Sequence, residues 1–203
     1  MNHFKEAAKT WDTAEKKDRN VLIAKSIVSK IELDQSYRLL DFGCGTGLLA
    51  EALGKLAKIE EILGIDPVKE MIQEFSIKFK SSPKAQGLSL NIEVENLPSH
   101  QGPFDLIVSA MAFHHLVDPL QTLTKLKTHL TNNGKIFVVD LDQEDGSFHA
   151  DPQKMGVHHF GFSKKERDLW CERAGFRKVA HEIVFEITKN NKTYPVMMSV
   201  YSV

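Results

Sequence analysis

The strongest indication of the fold is the stretch Leu39-Leu-Asp-Phe-Gly-Cys-Gly-Thr-Gly47. Its apolar beginning is typical of a buried strand, and the three glycines that follow predict a sharp turn whose backbone can approach a ligand closely. Leu49, Ala52 and Leu53 then recur at helical spacing. The stretch therefore predicts a strand, a glycine-rich turn and a helix, which together make one unit of an α/β protein.

Strand and helix patterns alternate on both sides of this unit. The predicted strands are 38–42, 62–65, 88–94, 104–109 and 135–141, followed by a hairpin of 176–187 and 193–203. Apolar residues at helical spacing predict helices near 21–31, 49–56, 71–79 and 120–130, and a capping box opens another at Ser163. We predict an α/β fold with a doubly wound, mostly parallel, seven-stranded Rossmann-like sheet and one antiparallel strand in the C-terminal hairpin.

The domain organisation follows from the absence of a linker or an internal repeat in the sequence. We predict a single domain over residues 1–203, with a helical N-terminal segment at 1–35. Residues 142–162 have no clear period and contain glycine, proline and several histidines, yet ordered patterns resume after them. We therefore expect 142–162 to be a functional loop on the substrate side of the domain.

Composition limits the classes of partner. Hydrophobic residues make up 42% of the chain and charged residues 26%, and the formal net charge is -1, so no overall field attracts nucleic acid or an anionic membrane. Cys44 and Cys171 have no metal-ligand spacing, and no apolar leader follows the first methionine. We expect a cytoplasmic protein with reduced thiols and without a nucleic-acid or membrane partner. The sequence does not indicate an oligomeric state.

Asp66 stands nineteen residues after Gly47, at the end of the next predicted strand. A carboxylate there can accept hydrogen bonds from ribose hydroxyls, or it can cap a helix that starts near Pro67. A dinucleotide fingerprint would need glycine where Leu48 stands, which disfavours a nicotinamide-dependent oxidoreductase. That enzyme and a non-catalytic nucleoside-binding protein remain the alternatives.

Four motifs together resemble class I S-adenosylmethionine-dependent methyltransferases. The glycine-rich stretch resembles the first motif of that family, and Ile62-Leu-Gly-Ile-Asp66-Pro with Met71-Ile72 resembles the second. Ile92-Glu-Val-Glu-Asn-Leu-Pro98 is similar to the third motif and Phe104-Asp-Leu-Ile-Val-Ser109 to the fourth. The match covers about residues 35–140 and is nearest to small enzymes akin to ubiquinone and menaquinone biosynthesis methyltransferases. It implies transfer of a methyl group from S-adenosylmethionine to a small-molecule acceptor.

The resemblance also implies which residues bind the cofactor. They are Asp41, Gly43, Cys44, Gly45, Gly47, Asp66, Pro67, Glu93, Val94 and Ser109. By this resemblance Asp41 lies below the methionine amino group, Asp66 holds the ribose and Ser109 lies under the sulfonium. Glu93 stands where the family usually has an aspartate that accepts from the adenine amino group. Glutamate retains the carboxylate acceptor on a longer side chain.

The histidines supply candidates for the acceptor side. His114 and His115 follow the fourth predicted strand, and His149, His158 and His159 lie in the 142–162 loop. If the acceptor must lose a proton, we predict His115 or His159 as the catalytic base, and we predict His114, His149 and His158 as substrate-binding residues. Histidines that only shape the loop are the alternative. A metal site of His149, Asp151, His158 and His159 is a further alternative, but their spacing is not a recognised ligand pattern, so we predict no metal site.

Phe4, Ala8 and Trp11-Asp12 resemble the family's N-terminal segment, which often folds over the cofactor pocket. An aromatic ring at that place can attract the sulfonium. A starter helix that merely docks Phe4 and Trp11 on the core is the alternative.

Overall fold

The computed structural model describes residues 2–98 and 100–203. Within these ranges the strands are β1 (Ser36–Phe42), β2 (Lys58–Asp66), β3 (Ala85–Ser89), β4 (Phe104–Ala110), β5 (Leu130–Leu141), β6 (Arg177–Lys189) and β7 (Lys192–Ser202). The α-helices are α1 (Asn2–Ala7), α2 (Ala14–Val28), α3 (Leu48–Leu56), α4 (Lys69–Lys78), α5 (Pro119–Lys127) and α6 (Lys164–Arg173). Short 3₁₀ helices occur at Ala8–Thr10 and Phe113–His115.

The seven strands form one sheet in the order β3-β2-β1-β4-β5-β7-β6. Neighbours from β3 to β5 pair in parallel, whereas β7 runs antiparallel to both β5 and β6. The predicted doubly wound, mostly parallel sheet with one antiparallel strand is therefore confirmed.

Helices cover both faces of the sheet, which explains the unbroken apolar runs in its strands. Successive residues point to opposite faces, so Leu39 joins the core cluster that includes residues of α2, α3 and α4. Leu40 joins the other cluster, together with residues of α5 and α6.

The strand order reverses between β1 and β4, and a crevice at such a switch point is where ligands bind in open α/β sheets. The turn after β1 and the segment after β4 meet there, because a Cβ on Gly43 would collide with the Cβ of Ala112. Met111, directly after β4, has a φ of 57°, a strained left-handed conformation for a side chain of this size.

The predicted strand at 88–94 is wrong, since β3 occupies Ala85–Ser89. After it, Leu90 donates its backbone N–H to Asp66 O at 3.1 Å, and the chain then turns. Asn91 causes this turn: its Oδ1 accepts from Glu93 N at 3.0 Å, and its carbonyl accepts from Glu95 N at 2.8 Å. Local hydrogen bonds from an asparagine thus override the apolar alternation.

The region around Asn132-Asn133-Gly134 also differs from the prediction of a turn. These residues lie inside β5, where the register against β4 shifts between the pairs Phe104–Leu130 and Leu106–Lys135. The irregularity is therefore a bulge within the strand. Leu130 accordingly belongs to β5 rather than to the preceding helix.

Predicted caps and turns are confirmed at three places. Asp118 caps α5 by accepting from Gln121 N at 2.9 Å, with proline in the first turn. Ser163 and Glu166 form the capping box of α6. Asn190 and Asn191 adopt positive φ between β6 and β7, as a tight hairpin requires.

Residues 142–162 contain no helix or longer strand, as predicted, and the structure describes every one of them. The two ends of the loop lie side by side, since Phe162 N donates to Leu141 O at 3.0 Å and Glu144 N donates to Phe160 O at 2.8 Å. Across the described parts of the chain, no helix has both the length and the apolarity needed to cross a bilayer.

Candidate active site

The glycine turn after β1 is tied to the neighbouring strand. Gly43 N and Cys44 N both donate to Ile65 O, at 2.9 and 3.1 Å. Gly47 has a φ of 81°, and a Cβ there would lie 2.6 Å from Phe75 Cδ2. The backbone shape and the packing of α4 therefore require glycine at this position.

Gly45 differs, because a Cβ at this residue would stay 3.8 Å from any neighbouring heavy atom, the nearest being Trp11 Nε1. Its N–H donates to Asp66 Oδ2 at 3.0 Å, while Asp66 Oδ1 accepts from Val68 N at 2.8 Å. The carboxylate is thus turned toward the glycine turn. Burial raises the pKa of Asp66, although these two N–H groups oppose the shift. Val68, not Asp66, is the N-cap residue of α4.

Asp41 lies beneath the same turn. Its side chain is buried, and Oδ2 accepts from Ala50 N in the first turn of α3 at 3.2 Å. Burial raises the pKa of Asp41 to about 7, and the nearby charge of Asp66 adds to the shift. A cation placed beside Asp41 would reverse this effect, because an opposite charge favours the ionised carboxylate.

Two small side chains complete this part of the crevice. Cys44 is buried, and burial raises the pKa of its thiol well above the usual value, so it acts as a filler rather than a nucleophile. Ser109, near the end of β4, is 1% exposed, and its Oγ has no hydrogen-bond partner among the described residues. Buried hydroxyl groups are usually hydrogen-bonded, so the lack of a hydrogen-bond partner at Ser109 needs an explanation.

Glu93 has a role that the resemblance does not predict. Its Oε1 accepts from Val117 N at 2.8 Å and from Asp118 N at 3.1 Å, so the carboxylate holds the segment that leads into α5. Val94 is 79% exposed on the neighbouring turn. These two bonds explain why glutamate stands where the family usually has aspartate. Contact of Glu93 or Val94 with an adenine stays a prediction.

His114 and His115 form the 3₁₀ turn after β4, beside Asp140 of β5. His114 Nδ1 lies 2.7 Å from Asp140 Oδ1, and His114 N donates to Asp140 Oδ2 at 3.2 Å. Burial by itself would raise the pKa of Asp140, but His114 and Arg167 keep it below its usual value. His114 Nε2 is buried and has no hydrogen-bond partner in the described part of the chain.

His149 of the loop joins these two imidazoles. The ring centroids of His114 and His149 lie 5.0 Å apart, and those of His114 and His115 lie 4.1 Å apart. His115 Nδ1 lies 3.0 Å from Gly156 O. Burial, followed by repulsion from His114, lowers the pKa of both His115 and His149 to about 4, so these two rings are neutral at pH 7.

The other two loop histidines hold the loop through their backbone. His158 N and His159 N donate to His114 O, at 2.9 and 3.1 Å. The side chain of His158 is exposed, whereas Nε2 of His159 is buried without a hydrogen-bond partner among the described residues. The structure thus brings His114, His115 and His149 into one cluster and leaves the His158 ring outside it.

Asp140 and Arg167 are site-forming residues that the sequence analysis missed. Arg167 is fully buried and donates to Phe162 O, Asp140 O, Leu141 O and Ser199 Oγ at 2.8–3.3 Å. It therefore joins the two ends of the 142–162 loop to the sheet. A charged residue in an apolar strand is the signal that points to Asp140, since such residues are rarely buried without a partner.

The N-terminal segment covers the glycine turn and docks on the core. Phe4 and Trp11 pack against the small cluster of Ala8, Val68 and Met71, and the ring centroids of Phe4 and His115 lie 5.1 Å apart. The docking of Phe4 and Trp11 on the core is thus observed, and a role of the segment over a cofactor stays a prediction. The Trp11 ring makes a cation–π contact within the chain, because Lys16 Nζ lies 3.1 Å from the ring centroid.

The relatives found by comparison with known proteins include methyltransferases and a carboxymethyltransferase. An uncharacterized methyltransferase, C1347.09 of Schizosaccharomyces pombe, is 35% identical over 138 residues, which are 62% of this chain and 48% of that protein. The ubiquinone/menaquinone biosynthesis C-methyltransferase UbiE of Citrifermentans bemidjiense is 31% identical, over 68% of this chain and 57% of its own. A tRNA U34 carboxymethyltransferase of Campylobacter fetus is 31% identical, over 68% and 50%. The chain spans about half the length of these relatives.

Solved structures share the fold over nearly the whole chain. A chain from the Haloferax volcanii complex of the Trm112 methyltransferase activator with a methyltransferase matches with a TM-score of 0.80 and 18% identity, covering 98% of this chain and 96% of that one. A SAM-dependent methyltransferase from Aquifex aeolicus matches with a TM-score of 0.72 and 21% identity, covering 97% of both chains. At these identities the likeness concerns the fold alone.

A family model described as a methyltransferase domain matches residues 14–181, which is most of the chain. This match confirms the resemblance to methyltransferases that was drawn from the four motifs. The chain belongs to the methyltransferase-domain family.

Proposed function

We propose that this protein transfers a methyl group from S-adenosylmethionine to a small-molecule acceptor bound between the glycine turn and the 142–162 loop. One observation carries the proposal: the carboxylate of Asp66, at the end of β2, is hydrogen-bonded to Gly45 N within the glycine turn. This bond supports the proposal, because a carboxylate can accept from sugar hydroxyls and this one lies beside backbone that a ligand can approach.

The residues present fit a nucleoside that carries an amino acid and a sulfonium. Asp66 supplies acceptors for a diol, Asp41 supplies a buried carboxyl for an ammonium, and the Ser109 Oγ is buried and lacks a partner among the described residues. In this proposal Gly43, Cys44, Gly45 and Gly47 surround the amino-acid part, and Pro67, Glu93 and Val94 lie near the base. When bound, S-adenosylmethionine supplies an activated methyl group.

The contribution of the chain to the reaction is then mainly alignment. Backbone groups at the switch point hold one partner, the 142–162 loop holds the other, and well-oriented reactants gain up to about 7–11 kcal/mol from such positioning. His115 and His159 are the proposed bases for acceptors that must lose a proton, while His114, His149 and His158 contact the acceptor. His159 has a buried Nε2 without a partner in the described chain, which supports its assignment.

A nucleic-acid acceptor is the second candidate, because one relative is a tRNA U34 carboxymethyltransferase. A net charge of -1 argues against it, since phosphate binding requires clustered basic residues. Screening labelled S-adenosylmethionine against metabolite pools and against total tRNA separates the two. Label found only in tRNA contradicts the proposal of a small acceptor. A cytoplasmic location belongs to the proposal and is supported by the two free cysteines.

The test of the cofactor site is Asp66→Ala. We expect the dissociation constant of S-adenosylhomocysteine, measured by calorimetry, to rise by roughly 10- to 150-fold, because a charge-assisted hydrogen bond contributes about 1.5–3 kcal/mol. Asp34→Ala, which removes an exposed carboxylate far from the crevice, is the matched control and leaves the constant unchanged. Equal affinities of wild type and Asp66→Ala, with the fold verified by circular dichroism, would falsify the assignment.

A further inference from the structure

The three clustered imidazoles have the properties of a transition-metal site. His114, His115 and His149 each offer one ring nitrogen, and these three atoms lie within 4.8 Å of one another. Tetrahedral zinc, with Zn–N distances of 2.0–2.1 Å, holds its nitrogen ligands about 3.3–3.4 Å apart. Small shifts of the side chains are therefore enough to close the cluster around one ion.

The free nitrogens point to the same conclusion. His114 Nδ1 is hydrogen-bonded to Asp140, so Nε2 is the ring nitrogen available to bind a metal. This Nε2 is buried and has no partner among the described residues. His149 Nδ1 is likewise buried and has no partner there. His115 Nδ1 faces Gly156 O, which leaves Nε2. Buried nitrogens without partners are costly to leave unbonded, and a metal ion would satisfy them.

The outer contacts match those of ligating histidines. Such histidines nearly always donate their other ring N–H to a carboxylate or a backbone carbonyl, which sets the tautomer and the ring orientation. Asp140 Oδ1, 2.7 Å from His114 Nδ1, is the carboxylate, and Gly156 O is the carbonyl for His115. Asp140 is itself fixed by Leu141 N, which donates to Oδ1 at 2.8 Å.

We propose that His114, His115 and His149 bind one first-row divalent ion of the zinc class, with Asp140 and Gly156 orienting the first two ligands. Imidazole nitrogens suit zinc, copper, iron and nickel, and exclude the oxygen-seeking magnesium and calcium. Three protein ligands leave a fourth tetrahedral position for solvent or for an oxygen, nitrogen or sulfur atom of the acceptor. The metal site itself does not depend on the proposed function; its use toward the acceptor does.

The site also joins two parts of the fold. His114 and His115 belong to the turn after β4, whereas His149 comes from the 142–162 loop, so an ion would clamp this loop onto the sheet. With His115 as a ligand, His159 remains as the imidazole available for proton removal.

Titration of metal-stripped protein with Zn²⁺, using a competing chromophoric chelator, tests the site. We expect the wild type to bind one ion per chain. We expect the affinity for Zn²⁺ to fall at least about 100-fold in His149→Ala and about 10- to 100-fold in Asp140→Asn. His100→Ala, which removes an exposed histidine outside the cluster, binds as wild type does. Substitution with Co²⁺ should give visible absorption bands of a nitrogen-ligated ion, absent in His149→Ala.

Absence of stoichiometric Zn²⁺ binding, or equal affinity in wild type and His149→Ala, would overturn the site. His115→Gln replaces His149→Ala if circular dichroism shows that the latter does not fold. Binding of S-adenosylhomocysteine is measured on the same samples with EDTA present. Wild-type protein that binds S-adenosylhomocysteine but no Zn²⁺ rejects the metal site alone, whereas wild-type protein that binds Zn²⁺ but no S-adenosylhomocysteine supports the metal site and rejects the proposed function.

Discussion

Single residues at the switch point combine structural and binding roles. Asp66 fixes Gly45 and Val68 through its two oxygens, so the acid proposed to hold a ribose also shapes the turn beside it. Glu93 also combines the two roles, because its Oε1 accepts from two backbone N–H groups before α5. A motif position therefore identifies a candidate, and the contacts of the side chain decide what it is free to do.

The raised pKa of Asp41 predicts that the affinity for the cofactor depends on pH. Its pKa is raised to about 7 by burial, so below pH 7 the carboxyl is mostly protonated and must release a proton to pair with the ammonium of the cofactor. Affinity should therefore fall as pH falls, and the dissociation constant of S-adenosylhomocysteine at pH 6 should be about tenfold higher than at pH 8. Calorimetry at the two pH values measures this change.

Asp41→Asn is the matched variant for that experiment. It keeps the shape of the side chain and removes the titrating proton, so its affinity should be lower than that of the wild type at pH 8 and nearly constant between pH 6 and pH 8. A wild-type dissociation constant that does not change over this range would show that Asp41 does not pair with the cofactor.

Among the larger elements, the N-terminal segment and the 142–162 loop enclose the crevice from two sides. Trp11 and Asp12 anchor the first: a Cβ on Gly45 would lie 3.8 Å from Trp11 Nε1, and Asp12 bonds to Thr46 and to Lys78. Arg167 and Lys189 anchor the second, since Lys189 Nζ donates to Phe148 O at 2.7 Å. Hydrogen bonds of Asp12, Arg167 and Lys189 thus hold both elements against the rest of the fold.

The position of Trp11 predicts a fluorescence signal. The chain has two tryptophans, and Trp170 packs between Phe113 and Phe162 on the far side of the sheet. Binding beside Gly45 should change the surroundings of Trp11 alone. We expect S-adenosylhomocysteine to alter the tryptophan emission of wild type and Trp170→Phe, but not of Trp11→Phe. An equal response from Trp11→Phe would mean that the N-terminal segment does not cover the cofactor.

At the scale of the whole molecule, the two helical layers and the sheet form a framework whose stability is linked to ligand binding. A ligand at 100 times its dissociation constant stabilises the folded state by about 2.7 kcal/mol. For a chain of this length we expect S-adenosylmethionine to raise the melting temperature by about 5–11 °C. NAD and NADH, added as controls, should cause no rise, and a rise with either would favour the nicotinamide-dependent alternative.

Local patterns in the sequence were sufficient for the fold class, the glycine turn, the caps at Asp118 and Ser163, and the C-terminal hairpin. Each of these depends on residues within a few positions of one another, because hydrophobic period, capping and turn chemistry are short-range effects. The predicted position of the third strand was wrong because two short-range effects compete there. The apolar alternation by itself favours a strand, but the hydrogen bonds of Asn91 favour a turn.

Only the tertiary structure decided the histidine cluster and its support. His149 stands 34 residues after His115, and Asp140 and Arg167 lie in other elements, so no spacing in the sequence relates them. Their meeting depends on β5 pairing beside β4 and on the loop closing over the turn after β4. Short-range patterns thus predicted a methyltransferase-like sheet with a glycine-rich turn, whereas long-range packing brought the imidazoles together, because side-chain contact is a property of the folded chain.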